Sequence, residues 1–66
     1  MKLKNFKGDE ATIIISCDEL AFLHSAIVET RNAVPKNEFR VRTGETLERS
    51  GEMLQQLNDI LDKIEG

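Results

Sequence analysis

Cys17 and His24 are the residues of this sequence whose types could form a nucleophile and base pair. On one helix, seven residues would separate them by about 10.5 Å along the axis, whereas a nucleophile and its base need to approach to about 3 Å. A single cysteine also excludes an internal disulfide framework, and a single histidine excludes the usual zinc constellations. We therefore predict no enzyme activity, no metal and no cofactor, with Cys17 a small buried residue and His24 at the edge of the core.

Four carboxylates form the second candidate site. They fall within one quarter of the helical wheel of the C-terminal segment, with Gln55 between them: Glu48, Glu52, Asp59 and Asp62. Carboxylates that follow one another along a helix do not converge on one ion, so metal binding is disfavoured. The pattern is typical of an ordinary solvated face, and the functional alternative is a docking surface for a basic protein.

Phe22 and Glu29 lie on the predicted outer side of the first helix, opposite its apolar stripe. A singly exposed aromatic residue is common on protein surfaces and needs no special explanation. The alternative is that Phe22, which shares this side of the helix with alanines, anchors a protein partner, with Glu29 in the same contact.

A basic group is the alternative site, and it would bind phosphate or nucleic acid. Its members are Arg31, Lys36, Arg40 and Arg42. Gly44 follows them at the start of a predicted helix, where free amides accept anions. However, the lysine and glycine spacing of phosphate loops is absent, and arginines on an exposed strand commonly protect a sheet edge from pairing. Nucleic-acid binding is therefore the less favoured interpretation.

The size and charge of the chain favour a small binding protein. Its 66 residues make one domain, residues 1–66, whose core should contribute only about 3 to 5 kcal/mol, so self-association or a partner would add stability. The net charge of -3 is unevenly divided, with positive charge in residues 1–7 and 31–43 and negative charge in 8–30 and 44–66. Neither a secretory signal nor an apolar segment of membrane-spanning length is present. We predict a cytoplasmic protein with a basic protein partner and no membrane contact.

The N-terminal half predicts a β-hairpin followed directly by a helix. Strands over residues 2–7 and 10–16 flank Gly8-Asp9, a pair suited to a tight turn. Alternation places Ile13 and Ile15 on one face, which we expect to meet the helices. Ser16 and Glu19 form a capping box that begins a helix ending before Pro35.

The C-terminal half predicts a third strand and a second helix. Residues 38–42 alternate between charged and apolar, with Phe39 and Val41 expected to point inward. The helix then runs over residues 44–65, with a kink expected at Ser50-Gly51 because glycine costs about 1 kcal/mol in a helix interior. The predicted fold class is α+β, a small two-layer domain in which two helices cover a short mixed three-stranded sheet of order β-β-α-β-α.

Residues 15–29, Ile-Ser-Cys-Asp-Glu-Leu-Ala-Phe-Leu-His-Ser-Ala-Ile-Val-Glu, followed by residues 38–44, Glu-Phe-Arg-Val-Arg-Thr-Gly, resemble small immunity-type proteins encoded beside bacterial toxins of contact-dependent inhibition systems. The resemblance covers about half of the chain and concerns the layout of elements. It implies a non-catalytic cytosolic protein that neutralises a cognate toxin, often a nuclease, by covering its active site or substrate groove.

Together these patterns predict a non-catalytic protein-binding module, an immunity protein or inhibitor of a basic bacterial toxin. Two alternatives stay open. The chain could be a homodimeric structural or regulatory domain whose dimer uses Phe22 or the long helix. It could also be a small nucleic-acid-binding regulator that uses the basic group.

Overall fold

The computed structural model describes residues 1–65 of the chain. Its elements, in chain order, are strand β1 (Lys2–Lys7), strand β2 (Glu10–Ile14), helix α1 (Cys17–Ala33), a 3-10 turn (Lys36–Glu38), helix α2 (Phe39–Thr43) and helix α3 (Leu47–Glu65). The protein is therefore a small α+β domain. The predicted three-stranded sheet covered by two helices is wrong, because within residues 1–65 the sheet has the two strands of one hairpin and the chain has three helices.

The hairpin forms as predicted around Gly8-Asp9. Gly8 has a φ of 61°, a conformation that glycine adopts without a steric penalty. The two strands pair antiparallel from Lys7 opposite Glu10 to Lys2 opposite Ile14. A β-bulge between Leu3 and Asn5 interrupts the register, and it changes which side chains of β1 share a face.

Helix α1 begins at the predicted capping box. The Glu19 amide donates to Ser16 Oγ at 3.2 Å, and the Ser16 amide donates to Glu19 Oε1 at 3.0 Å. Each side chain thus satisfies an amide that the first turn leaves without a partner. Val34, directly before Pro35, has extended φ and ψ angles and ends the helix.

The segment predicted as the third strand is helical. Phe39 is 3% exposed and Val41 is 89% exposed, a division that fits a helix, in which residues two apart point about 200° away from each other. Helical hydrogen bonds close within four residues, whereas a third strand would need a distant partner and a larger loss of chain entropy. Gly44, at a φ of 80°, ends α2, and its amide donates to the carbonyl of Arg40 at 2.8 Å.

Helix α3 is one continuous helix through Ser50 and Gly51. Thr46 caps it, since Thr46 Oγ1 accepts from the amide of Arg49 at 3.0 Å. On Gly51 a Cβ would lie 3.2 Å from Arg31 Nη1. The missing side chain therefore makes room for an arginine of α1.

The core lies between helices, not between helices and sheet. Helices α1 and α3 pack on each other, and the buried apolar side chains among residues 1–65 are Leu20, Phe39 and Leu61. Every residue of β1 and β2 is exposed. The expectation that the Ile13 face meets the helices is therefore wrong, because the two helices bury their apolar stripes against each other. Within residues 1–65 no helix is both long enough and apolar enough to cross a membrane.

Candidate functional site

The acidic face is the set of four carboxylates on the outer side of α3. All four members are exposed: Glu48, Glu52, Asp59 and Asp62. Arg49 Nη1 lies 3.4 Å from Glu52 Oε2, and Gln55 Nε2 donates to Asp59 Oδ1 at 2.9 Å. Exposed pairs of this kind contribute at most about 1 kcal/mol and exchange readily with a partner. The face is therefore a negative surface, about 21 Å long at 1.5 Å per residue, that a basic protein could approach.

Phe22 lies on the exposed side of α1, as the helical wheel predicts. Its side chain is 72% exposed, and it borders a shallow hollow together with Met1, Asp18 and Leu23. Glu29 is exposed on the same helix. An apolar ring with carboxylates nearby suits a partner that combines apolar and basic groups, and the role of Phe22 and Glu29 in binding stays a prediction.

The basic group is not assembled as the sequence suggested. Arg31 is half-buried, and its Nη1 donates to the carbonyl of Leu47 and to the hydroxyl of Ser50, both at 2.7 Å. Arg31 therefore ties α1 to α3 instead of facing a ligand.

The remaining members of the basic group lie on helical segments. Arg40 and Arg42 are exposed on α2, where a separation of two residues directs them to different sides, unlike on a strand. Arg42 Nε lies 3.9 Å from Glu38 Oε1, and Lys36 is exposed in the 3-10 turn.

Cys17 and His24 are placed on α1, seven residues apart, as the sequence predicts. The thiol of Cys17 is exposed, so the expectation that it is buried is wrong. It occupies the first helical position, directly after the cap residue Ser16. His24 is half-buried. Within residues 1–65, no three histidine, cysteine or carboxylate side chains are grouped closely enough to hold a metal ion.

An open groove of about 240 Å³ lies where the three helices meet. Its apolar lining includes Leu23, Ile27, Phe39 and Met53, and Glu45 lies at its side. Grooves of this size and openness hold a few side chains of a partner more readily than a small-molecule substrate.

The hairpin has an apolar surface that the sequence analysis did not predict. Cross-strand partners share a face, so Leu3, paired with Ile13, and Phe6, paired with Ala11, lie together. We call these four residues the hairpin face. Simple alternation would separate Leu3 from Phe6, and the bulge brings them together. The signal in the sequence is the spacing Leu3-Lys4-Asn5-Phe6, in which two polar residues separate two apolar ones.

The comparisons with known proteins identify no relative for this arrangement. Protein-family models, curated proteins and solved structures all give no match to the chain.

Proposed function

We propose that this protein is a non-catalytic binding module that inhibits a basic protein, in the manner of an immunity protein that neutralises a bacterial toxin such as a nuclease. The observation that carries the proposal is the acidic face: four exposed carboxylates on one side of α3, with Glu52 the one that an arginine approaches within residues 1–65.

A nuclease presents a positive groove that attracts phosphate. A helix with carboxylates along one side offers negative charge at comparable intervals, so it can occupy that groove and exclude the substrate. Helix α3 is suited to this because α1 packs on its apolar side and leaves the acidic side free. The small core of the isolated chain is also consistent with a protein that gains stability from its partner.

The experiment pairs this chain with a basic nuclease toxin domain, which is sought among the products of the genes next to its own. Cells that express the toxin domain should survive when this chain is co-expressed, and the two purified proteins should form a stoichiometric complex in which nuclease activity on DNA or RNA is lost. A matched control is the variant Glu48→Lys, Glu52→Lys, Asp59→Lys and Asp62→Lys, which should protect no cells although it folds. Survival without co-expression, or no complex at micromolar concentrations, would refute the proposal.

A further inference from the structure

The protein exposes more surface than a chain of this size normally leaves to solvent. A folded monomer of this mass is expected to expose about 4,200 Å², whereas this protein exposes 5479 Å². Its radius of gyration is 13.3 Å, against about 11 Å expected for 66 residues. The excess area, about 1,200 Å², is larger than the roughly 800 Å² that each partner buries in a standard protein interface.

The hairpin face groups several of the exposed large apolar side chains on one side of the sheet. Leu3 is 55% exposed, Phe6 is 71% exposed and Ile13 is 43% exposed. An isolated two-stranded hairpin is at best marginally stable in water, and apolar residues clustered on one face are the usual mark of a contact surface. The hairpin therefore needs a cover that helices α1 and α3 do not provide.

The distribution of charged residues between the two faces of the hairpin indicates which kind of partner covers the hairpin face. The strand pairing places Lys2, Lys7 and Glu10 on the opposite face from Leu3 and Phe6. None of the four residues of the hairpin face is charged, so these residues can meet those of a second copy without opposing like charges. A two-fold interface must be complementary to itself, and the acidic face of α3 fails that requirement because it would repel its own copy.

We propose that the hairpin face binds a second copy of this chain, face to face, to form a symmetric dimer. The two hairpins then pack as two small sheets about 10 Å apart, with Phe6 of each copy in the shared apolar layer. This contact lies on a different element from the acidic face and does not depend on the proposed function. It also differs from a dimer through Phe22 or α3, since it uses the N-terminal strands.

The first test is sedimentation over a concentration series from about 1 to 200 μM. We expect a dimer of the wild-type chain, and at least about a 100-fold increase in the dimer dissociation constant for Phe6→Ser, because the substitution removes two buried rings from one interface. The matched controls are Phe22→Ser and Val41→Ser, which remove apolar side chains that are 72% and 89% exposed on the helices and should leave the dissociation constant unchanged. A wild-type monomer throughout the series, or a loss of dimer in Phe22→Ser alone, would overturn the proposal.

The second test does not depend on weakening the hairpin. In a Cys17→Ser background, a single cysteine is placed at Ala11, on the hairpin face, or at Thr12, its neighbour on the opposite face. A bis-maleimide cross-linker with a spacer of about 10 Å should link Ala11→Cys into a dimer more than about 10-fold faster than Thr12→Cys, because the two hairpin faces lie about 10 Å apart in the dimer and the opposite faces lie farther apart. Faster linkage through Thr12→Cys would show that two copies meet through the opposite face of the hairpin and would overturn the proposed dimer.

Discussion

Arg31, in the last turn of α1, donates from Nη1 to the hydroxyl oxygen of Ser50 in α3 at 2.7 Å. The same nitrogen donates to the carbonyl of Leu47 at 2.7 Å, and Ser50 is buried. No carboxylate within residues 1–65 forms an ion pair with Arg31. A half-buried guanidinium bound to neutral acceptors is a structural tie between the two long helices, because a hydrogen bond from a charged donor is stronger than one between neutral groups.

Arg31 and Gly51 should be energetically coupled. Replacing a helical glycine with alanine normally stabilises a protein by about 1 kcal/mol, but here the new Cβ would lie 3.2 Å from Arg31 Nη1. We expect Gly51→Ala to change the free energy of unfolding of the wild type by less than about 0.5 kcal/mol, and to stabilise the Arg31→Ala background by about 1 kcal/mol. Urea denaturation of the wild type, both single variants and the double variant, followed by circular dichroism, measures this coupling.

Arg31→Ala alone should lower the free energy of unfolding by about 1 to 3 kcal/mol, because it leaves acceptors in the α1–α3 contact without their charged donor. The matched control is Arg40→Ala, which removes an exposed arginine of α2 and should have little effect. If both substitutions lower the free energy of unfolding by the same amount, the hydrogen bonds of Arg31 do not stabilise the contact between α1 and α3. If Gly51→Ala stabilises both backgrounds equally, the two side chains do not compete for space.

Phe39 and Val41 should respond very differently to truncation. Phe39 lies in the core, so Phe39→Ala should cost about 3 to 5 kcal/mol, which is comparable with the whole stability expected of so small a core. Val41→Ala should change the melting temperature by no more than a few degrees, because that side chain already lies in water. Thermal melts of the two variants compare these costs, and a large loss for Val41→Ala would indicate that residues 38–42 pack as a strand after all.

The carboxyl group of Glu19 should titrate far below its usual range. A hydrogen bond from the amine of Met1, followed by those from the backbone and side chain of Ser16, lowers the pKa of Glu19 from 4.5 to about 2. Since the folded-state pKa is below the unfolded one, the charged carboxylate favours the folded state above pH 4.5 and this contribution is lost as the pH falls toward 2.

A carboxyl-detected NMR titration measures the pKa of Glu19 directly. Acetylating the amine of Met1 should raise it toward the ordinary value, and Ser16→Ala should raise it by a smaller amount and shorten the helix at its first turn. An unchanged pKa of Glu19 after acetylation would mean that the amine does not hold the carboxylate in solution.

The acidic face should act mainly on the rate of association with a basic partner. Its charges lie on the surface, so they attract at long range and are screened beyond about 8 Å at physiological salt. Replacing the four carboxylates of the face by their amides should slow association by about 10-fold or more at low salt and flatten its salt dependence. Stopped-flow binding to the toxin domain over a series of salt concentrations measures both effects.

The matched control for net charge neutralises four exposed carboxylates elsewhere on the chain. Its substitutions are Asp9→Asn, Glu10→Gln, Asp18→Asn and Glu38→Gln. It should slow association much less than the variant of the acidic face, because local charge at the contact steers encounter more strongly than distant charge. If both variants slow association equally, the carboxylates of the acidic face act only through the net charge of the chain.

The local elements were predictable from short-range patterns. The turn at Gly8-Asp9, the capping box of Ser16 with Glu19, and the helix end before Pro35 each depend on residues within four positions of one another. The acidic face was predictable for the same reason, since helical periodicity alone places its carboxylates on one side of α3. The exposed position of Phe22 follows from the same periodicity.

The amino-acid sequence by itself thus determined where the hairpin turns, where α1 begins and ends, and which charges share a face, because these properties arise from steric and hydrogen-bonding preferences along the chain. Only the tertiary structure decided that residues 38–42 are helical, that Arg31 is a tie instead of a ligand-binding group, and that Leu3 and Phe6 share an open face. Each of these depends on which distant partner a residue meets. The helices α1 and α3 bury their apolar stripes against each other. As a result, the hairpin pairs with no third strand within residues 1–65, and these helices do not cover its apolar face.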